Sequence, residues 1–253
     1  MERLLIVPAA GRGSRLGVDR PKALVEIDGR PMIDHVIGLC HPHLRRVTVV
    51  AHPSFSQRMR EHLVARWHAL DPHVVEQASP TGMLDAILAA EPIVARFRPD
   101  RLWILWCDQV GVLPSTMSRI VEAERVHPEA ALIFPTVHRA APYIHFPRDD
   151  AGRLTGVLQR REGDRMPVEG ESDMGVFALA AAAFGEYLSR FAAESTPGAA
   201  TGERNFLPFI PWLAARAEVA TVPCTDPREA VGVNTPEELR AMERWLRERG
   251  LRT

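Results

Sequence analysis

Apolar residues occur along this chain in two alternating patterns. Short runs of large apolar and β-branched residues predict strands, while longer stretches with apolar positions three or four apart predict helices. The predicted strands cover residues 4–8, 47–51, 74–76, 102–106, 131–134, 172–178 and 219–222. The predicted helices cover residues 32–39, 56–67, 84–90, 115–126, 181–190 and 236–249. This alternation indicates an α/β protein with helices on both faces of a mixed, mostly parallel central sheet.

The stretches between these elements predict one domain over residues 1–253, without an internal repeat or a long linker. Residues 142–176 predict a hairpin or loops laid over the sheet, and "ESTPGAATGERN", residues 194–205, predicts a mobile surface loop. The last helix has the clearest start. Thr235 is its expected N-cap, Pro236 is the first helical residue, and Glu238 follows three residues after the cap.

The composition argues against several classes of protein. The formal net charge of −1 is unlike that of a nucleic-acid-binding protein, which usually carries a basic excess. The alanine-rich stretch after Gly175 is shorter than the ~20 residues that span a membrane. Three widely spaced cysteines, Cys40, Cys107 and Cys224, favour free thiols over disulfides or a zinc site. We therefore expect a cytoplasmic protein without nucleic-acid or membrane partners.

A glycine-rich segment, "VPAAGRGSRLGVDRPK", ends the first predicted strand and covers residues 7–22. The small residues Ala10, Gly11 and Gly13 would let successive backbone N–H groups approach a phosphate, at the strand end where open α/β sheets bind ligands. The segment departs from the dinucleotide-binding fingerprint at Leu16, and it lacks the Gly-Lys-Ser/Thr ending of a P-loop. A tight turn that needs glycine only for positive φ is the alternative interpretation.

Lys22, at the end of this segment, is the only lysine among 31 lysines and arginines. Lysine is a compact charge on a thin stem, whereas arginine is a wide planar fork. Beside a phosphorus centre, a thin cation leaves the line of attack open. The pattern favours a specific need for lysine at position 22, with survival of one lysine by chance as the alternative.

The stretch "AAGRGSRLGVDRPKALVEIDGRPMIDHVI", residues 9–37, resembles the N-terminal signature of sugar-1-phosphate nucleotidyltransferases. Further matching segments follow in the family's order: "EQASPTGMLDA", "WILWCDQV", "GVLQRREGD", "ESDMGVFAL" and "VGVNTPEEL". The resemblance implies a Rossmann-like, three-layer nucleotide-diphospho-sugar transferase fold of GT-A type. It also implies a nucleotide-binding half at about residues 1–135, a sugar-phosphate-binding half at about 136–235 and a C-terminal helix at about 236–249.

The resemblance assigns an expected role to each matching residue. Arg15 and Lys22 are the expected catalytic residues, because Arg15 would grip the departing phosphates and Lys22 would lie between the attacking phosphate and the α-phosphate. The expected nucleotide-binding residues are Ala9, Ala10, Gly11, Arg12, Gly13, Ser14, Gln77 and Gly82. The expected substrate-binding residues are Gly156, Gln159 and Asp173, and the expected ligands of Mg²⁺, or of Mn²⁺ in its place, are Asp108 and Asn234.

Each of these side chains also has an ordinary structural interpretation when it is considered alone. Asp108 would then cap a helix, Asn234 would simply precede the Thr235 cap, and Gln77, Gln159 and Asp173 would be solvated polar residues. The agreement of the whole set with the family's order favours the functional interpretation.

The reaction implied by the resemblance joins a nucleoside triphosphate, preferably UTP or dTTP, to a sugar 1-phosphate and releases pyrophosphate. Alternatives are cytidylyl or guanylyl transfer to a non-sugar phosphate, a phosphonate or molybdopterin, and a GT-A glycosyltransferase. The last usually carries an Asp-x-Asp motif, where this chain has "CDQ" at residues 107–109. A nucleotide sensor without activity would not need both Lys22 and Asp108. The sequence leaves the oligomeric state open, with a homodimer among the options.

Overall fold

The computed structural model describes residues 1–11, 13, 16 and 20–249. The predicted roles of Arg12, Ser14 and Arg15 therefore lie outside the described residues. Within the described ranges, no helix is long and apolar enough to cross a membrane. The three cysteines are free, as predicted, and all three are buried. Burial raises the pKa of the Cys107 thiol to about 12.

Strands and helices alternate along the described chain. The strands are β1 Arg3–Pro8, β2 Glu26–Ile27, β3 Arg30–Pro31, β4 Arg46–Ala51, β5 His73–Glu76, β6 Arg101–Leu105, β7 Leu132–Ala140, β8 Ile144–His145, β9 Leu158–Gln159, β10 Glu169–Asp173, β11 Val176–Ala180 and β12 Val219–Cys224. The helices are α1 Met32–Cys40, α2 Pro53–Trp67, α3 Met83–Leu88, α4 Glu91–Phe97, α5 Pro114–Val126, α6 Ala181–Ala183, α7 Ser189–Glu194, α8 Phe209–Ala214 and α9 Pro236–Glu248.

Eight of the described strands form one sheet in the order β10-β7-β11-β6-β1-β4-β5, with β12 also paired to β7. Strands β6, β1, β4 and β5 run parallel, and β12 runs parallel to β7. Strands β10 and β11 are antiparallel to their neighbours. The predicted mixed, mostly parallel sheet is confirmed, and its parallel part brings the carboxyl ends of β1, β4, β5 and β6 to one edge.

Alternate residues of β1 enter two separate apolar cores, because successive side chains of a strand point to opposite faces. Leu5 and Val7 lie with apolar residues of α1, α2, α5 and α9, whereas Leu4 and Ile6 lie with residues of α3, α4, α7 and α8. Helices therefore cover both faces of the sheet, which gives the predicted three layers.

The structure corrects the prediction of one strand over residues 172–178. Met174 and Gly175 separate β10 from β11, and Gly175 has a φ of 68°, which a β-branched residue would rarely adopt. The Gly175 carbonyl accepts a hydrogen bond from Trp106 N at 3.0 Å, just beyond the end of β6. Strand β10 pairs with β7 in the main sheet. Residues 142–176 are therefore not all hairpin or loop material laid over the sheet.

Other element boundaries differ from the prediction where local pattern is weak. Helices α4 and α8 were not predicted, and the predicted helix at residues 181–190 extends to Glu194 with a π-helical segment, Phe184–Leu188, in its middle. The predicted loop at residues 194–205 begins one residue later, at Ser195, because Glu194 ends α7, and hydrogen bonds to Glu162 anchor it. A freely mobile loop would lack these bonds.

Candidate active site

Three predicted site residues meet beyond the carboxyl ends of β1 and β6. Lys22 begins a short 3₁₀ turn after the glycine segment, Asp108 follows β6, and Asn234 precedes α9. Lys22 Nζ donates hydrogen bonds to Asp108 Oδ2 and, at 2.7 Å, to Asn234 Oδ1. The lysine is 86 residues from Asp108 and 212 residues from Asn234 in sequence, so the tertiary fold alone creates this cluster.

The start of α9 fixes the position of Asn234. Thr235 and Glu238 form a complete capping box, as predicted. The Glu238 carboxylate also accepts a hydrogen bond from Asn234 N at 2.7 Å, and Asn234 Nδ2 donates to Gly232 O at 3.2 Å. Val233 N donates to Asp108 O at 3.1 Å, which ties this turn directly to the end of β6. The amide oxygen of Asn234 is thereby directed towards Lys22.

Glycine is required at position 13 because the chain returns there against Lys22. Gly13 has a φ of 67°, and a Cβ at this position would lie 3.1 Å from Lys22 Cβ and 3.2 Å from Lys22 Cα. Gly11, by contrast, is exposed and has open space where a Cβ would be. The described part of the glycine segment thus combines a tight contact beside Lys22 with an accessible backbone.

Gln77 and Gly82 lie together beyond β5. Gln77 Nε2 donates to Gly82 O at 3.1 Å and to Thr81 Oγ1 at 3.2 Å. The backbone N–H of Gln77 donates to Ala51 O at 2.9 Å, at the end of β4.

The neighbouring carbonyl of that same strand end binds the glycine segment. Ala9 N donates to Val50 O at 2.7 Å, so Ala9 is held on the other side of β4 from Gln77. Ala9 is buried, and Ala10 is partly exposed. Residues 77–85, which include the predicted nucleotide-binding residues Gln77 and Gly82, are here called the base-recognition segment. This segment and the glycine segment therefore flank one strand end.

The predicted substrate-binding residues make their contacts in different parts of the fold. Asp173 is buried at the end of β10, and its carboxylate accepts a hydrogen bond from Gly175 N at 2.9 Å. Burial raises the pKa of the Asp173 carboxyl to about 6, and the negative charge of Asp108 acts in the same direction.

Gly156 and Gln159 make their contacts within the β8–β9 region instead. A Cβ at Gly156 would lie 3.6 Å from Pro147, and Gln159 N donates to Asp164 Oδ2 at 2.7 Å. Neither contact reaches Lys22.

One residue that the sequence analysis did not select, Gln109, fills the space between the turn after Asp173 and the turn before Asn234. It is 8% exposed. A Cβ at Gly175 would collide with Gln109 Cγ, and a Cβ at Gly232 would lie 3.2 Å from Gln109 Nε2. Its position directly after Asp108 was the available signal, but only the fold reveals the glycines that enclose it.

The oxygens at this cluster suit a hard metal cation. Asp108 Oδ2 and Asn234 Oδ1 both point at the cationic head of Lys22, so they converge on a position that favours positive charge. Among the described residues, no group of three or more His, Cys, Asp or Glu side chains could hold a metal. Mg²⁺ needs few protein ligands because it keeps waters and binds substrate phosphates. The two residues therefore fit the metal that the resemblance implies.

The sheet, the glycine segment at its carboxyl edge and the lysine–acid–amide cluster define a nucleotidyltransferase, and comparison with known proteins agrees. A family model described as the MobA-like NTP transferase domain matches residues 5–173. The chain belongs to this family, and the resemblance to sugar-1-phosphate nucleotidyltransferases is confirmed.

Full-length similarity extends beyond the region matched by the family model. The chain is 26% identical over 257 residues to a protein named bifunctional protein GlmU from Pelotomaculum thermopropionicum, covering 99% of this chain and 53% of the relative. It is also 26% identical to proteins of that name from Stutzerimonas stutzeri, with 98% and 53% coverage, and Burkholderia lata, with 95% and 51% coverage. The chain thus spans about half the length of these curated relatives.

Proposed function

We propose that this protein joins a nucleoside triphosphate, UTP or dTTP preferentially, to a sugar 1-phosphate and releases pyrophosphate in a Mg²⁺-dependent reaction. The observation that carries the proposal is the convergence of Lys22, Asp108 and Asn234 beside the glycine segment. Phosphoryl-group chemistry depends on positioning and on neutralising charge, so a site needs cations more than a covalent nucleophile.

Lys22 has the geometry for neutralising two phosphates that must approach each other. Its side chain is 14% exposed, so its charge is only partly screened by water. Asp108 and Asn234 would hold Mg²⁺, which when bound supplies Lewis-acid stabilisation of phosphate charge. With Mg²⁺ on these two oxygens, the Lys22 ammonium group would be available to the substrate phosphates.

Base preference follows from the amide of Gln77. The Gln77 amide gives its two Nε2 hydrogens to Gly82 O and Thr81 Oγ1, so its carbonyl Oε1 is the group that would accept a hydrogen bond from a pyrimidine ring N–H. The hydrogen bond from Gln77 Nε2 to Gly82 O holds together the amide that would contact the base and the predicted nucleotide-binding glycine beside it. A purine would need additional room at this edge, which favours UTP or dTTP over ATP or GTP.

A second candidate function is transfer to a phosphate that is not part of a sugar. The description of the matching family model as MobA-like supports this alternative. Asp173 also presents a carboxylate at the position where the sugar-phosphate enzymes often have asparagine. An acceptor other than a sugar 1-phosphate is therefore included in the test.

The test is a matrix of ATP, GTP, CTP, UTP and dTTP against sugar 1-phosphates and non-sugar phosphates, with pyrophosphate release as the measurement. We expect the highest kcat/KM with UTP or dTTP and a sugar 1-phosphate, and none without Mg²⁺ or Mn²⁺. The variant Gln77→Ala should lose the base preference. ATP or GTP as the best substrate, or a preference that survives Gln77→Ala, would contradict the base assignment. Transfer from a nucleotide sugar without pyrophosphate release would instead indicate a glycosyltransferase.

A cytoplasmic location and small-molecule partners complete the proposal. Three buried free thiols support a reducing compartment, and the near-neutral net charge supports the absence of a nucleic-acid partner. Fractionation of cells, with the protein found outside the soluble fraction, would contradict the location.

A further inference from the structure

The loop formed by residues 198–205, here called the strap, is bound along its length by the carboxylate of Glu162. Glu162 Oε1 accepts hydrogen bonds from Thr201 Oγ1 at 2.6 Å and Asn205 Nδ2 at 2.8 Å. Glu162 Oε2 accepts one from Ala200 N at 3.1 Å, and a Cβ at Gly198 would collide with the same carboxylate. One side chain thus organises almost the whole strap.

A second contact beside Glu162 strengthens this attachment. Arg161 donates two parallel hydrogen bonds to the Glu203 carboxylate, at 2.7 and 2.9 Å. Bidentate pairs of this kind restrict geometry as well as adding energy. Arg161 and Glu162 belong to the turn that directly follows β9, so the strap is attached beside the predicted acceptor residue Gln159.

At Arg204, the strap is also joined to the base-recognition segment. Arg204 N donates to Thr81 O at 2.7 Å, and Arg204 O accepts from Leu84 N at 3.0 Å. The Arg204 guanidinium pairs with Asp85 at 2.9 Å. Gly82, between these partners, has a φ of 119°, and a Cβ there would collide with the Arg204 backbone.

The base-recognition segment needs this external support. Residues 78–81 are exposed, and the segment before α3 includes a glycine with positive φ, so local propensity does little to hold it in one conformation. The strap is itself rich in glycine and alanine, so its order depends on the Glu162 carboxylate. The hydrogen bonds from Thr201 and Asn205 lower the pKa of Glu162, which keeps that carboxylate charged at neutral pH.

We infer that Glu162 and Arg204 are positioning residues that, through the strap, hold residues 77–85 in the conformation that binds the nucleotide base. The inference rests on the proposed role of Gln77 and Gly82. It makes base recognition dependent on contacts at the turn next to the predicted acceptor residue Gln159. Loss of Glu162 should therefore weaken nucleotide binding although, among the described residues, the Glu162 carboxylate bonds to the strap alone.

The experiment compares hydrogen exchange and nucleotide binding in the full chain and in the variants Glu162→Ala, Glu162→Gln and Arg204→Ala. Asp149→Ala is the matched control, because Asp149 also organises a loop by accepting hydrogen bonds from Ala151 N and Arg153 N but does not bond to the strap. Calorimetry with UTP, dTTP, CTP, GTP and ATP, each with MgCl₂, gives the dissociation constants. Circular dichroism verifies that each variant is folded.

We expect faster exchange in both residues 198–205 and residues 77–85 for Glu162→Ala and Arg204→Ala, with smaller changes for Glu162→Gln. In Glu162→Ala and Arg204→Ala, the dissociation constant of the nucleotide that binds most tightly should rise about three- to tenfold, which is within the range of coupling effects between connected sites. Asp149→Ala should change neither quantity.

Two results would overturn the inference. One is faster exchange confined to the strap, and the other is an unchanged nucleotide affinity in folded Glu162→Ala. If the unaltered protein binds none of the five nucleotides, the proposed function fails. Hydrogen exchange at residues 77–85 then tests the inference by itself. Faster exchange there in Glu162→Ala supports the inference, and unchanged exchange contradicts it.

Discussion

The Lys22 ammonium group donates hydrogen bonds to two oxygens at once. A compact cation suits this position, which favours lysine where the rest of the chain uses arginine. Lys22 Nζ bonds to Asp108 and Asn234, while its backbone lies against Gly13. We expect Lys22→Ala to lower kcat about a hundred- to a thousandfold, the usual cost of losing one group that stabilises charge in the transition state. Lys22→Arg should not restore activity, because a planar fork does not fit between the two oxygens.

Steady-state kinetics with the best nucleotide and acceptor measure this effect. Arg20→Ala, two residues away in the same segment, is the control and should retain most of the activity. A near-normal rate in folded Lys22→Arg would show that the lysine is an accident of composition.

Asp173 carries a buried carboxylate that the fold disfavours in its charged form. Its pKa rises from 3.8 to about 6, so the folded state binds a proton more tightly than the unfolded state. The contribution of this group to stability is therefore full below about pH 4 and is lost as the pH rises towards 6. At pH 7–8, Asp173→Asn should raise the free energy of unfolding by roughly 2–3 kcal/mol, since a tenfold change in proton binding corresponds to about 1.4 kcal/mol.

Urea unfolding of both proteins between pH 4 and pH 8 tests this difference, because other titrating groups are common to the two. The control is Asp150→Asn, which changes an exposed carboxylate. A constant difference in stability between Asp173→Asn and the unaltered protein across this range would contradict the assignment.

The first turn of α9 positions a proposed metal ligand as well as ending a loop. The Glu238 carboxylate accepts from Asn234 N and from Thr235 N at 2.9 Å, so both residues before the helix depend on it. We expect Glu238→Ala to cost about 1 kcal/mol of stability, as for other caps, and to weaken Mn²⁺ binding although no ligand is removed. Glu237→Ala is the neighbouring control, because the Glu237 carboxylate is exposed and pairs with Arg240 on the helix surface.

Manganese binding measured by electron paramagnetic resonance, with nucleotide present, separates these outcomes. Equal manganese affinity in Glu238→Ala and Glu237→Ala would mean that the cap does not position Asn234.

Sequence pattern predicts the elements well where burial is continuous and poorly where tertiary contacts choose the conformation. Strands β1, β4 and β12 and helices α1 and α5 begin and end within two residues of the prediction. The break at Gly175 was missed, because its cause is packing against Trp106 and Gln109, which are distant in sequence. The anchoring of the strap was missed for the same reason, since nothing near residue 200 reveals Glu162 as its partner.

The proposed nucleotide and metal sites join distant parts of the chain, so their occupation should stabilise the whole fold. A ligand that binds only the folded state adds about 2.7 kcal/mol at one hundred times its dissociation constant. We therefore expect UTP with MgCl₂ to raise Tm by several degrees, and Asp108→Ala to abolish most of this increase. Differential scanning fluorimetry with Asp150→Ala as the control measures it, and an equal shift in Asp108→Ala would contradict the metal assignment.

The resemblance assigned Lys22, Asp108 and Asn234 to one site, and the structure brings the three side chains into contact, although their separations in sequence give no geometric hint of it. Family order supplied that prediction, and the parallel strand ends explain it physically. The sequence could not place Gly156 and Gln159 relative to the cluster, because the β8–β9 hairpin has little periodic pattern. It also could not show that Gln109 is enclosed by glycines from two different turns.

Because the chain contains a single lysine, amine-reactive reagents have few targets on this protein. Acylating dyes, aldehyde fixatives and amine-coupled surfaces all react with lysine side chains, and here the only such side chain is Lys22. A reagent that labels many sites on most proteins is therefore limited to the proposed catalytic centre and the α-amino group. Coupling through the lysine side chain would attach the protein to a surface by its proposed active site. A cysteine introduced on one of the arginine-rich outer helices would allow immobilisation that leaves this site accessible.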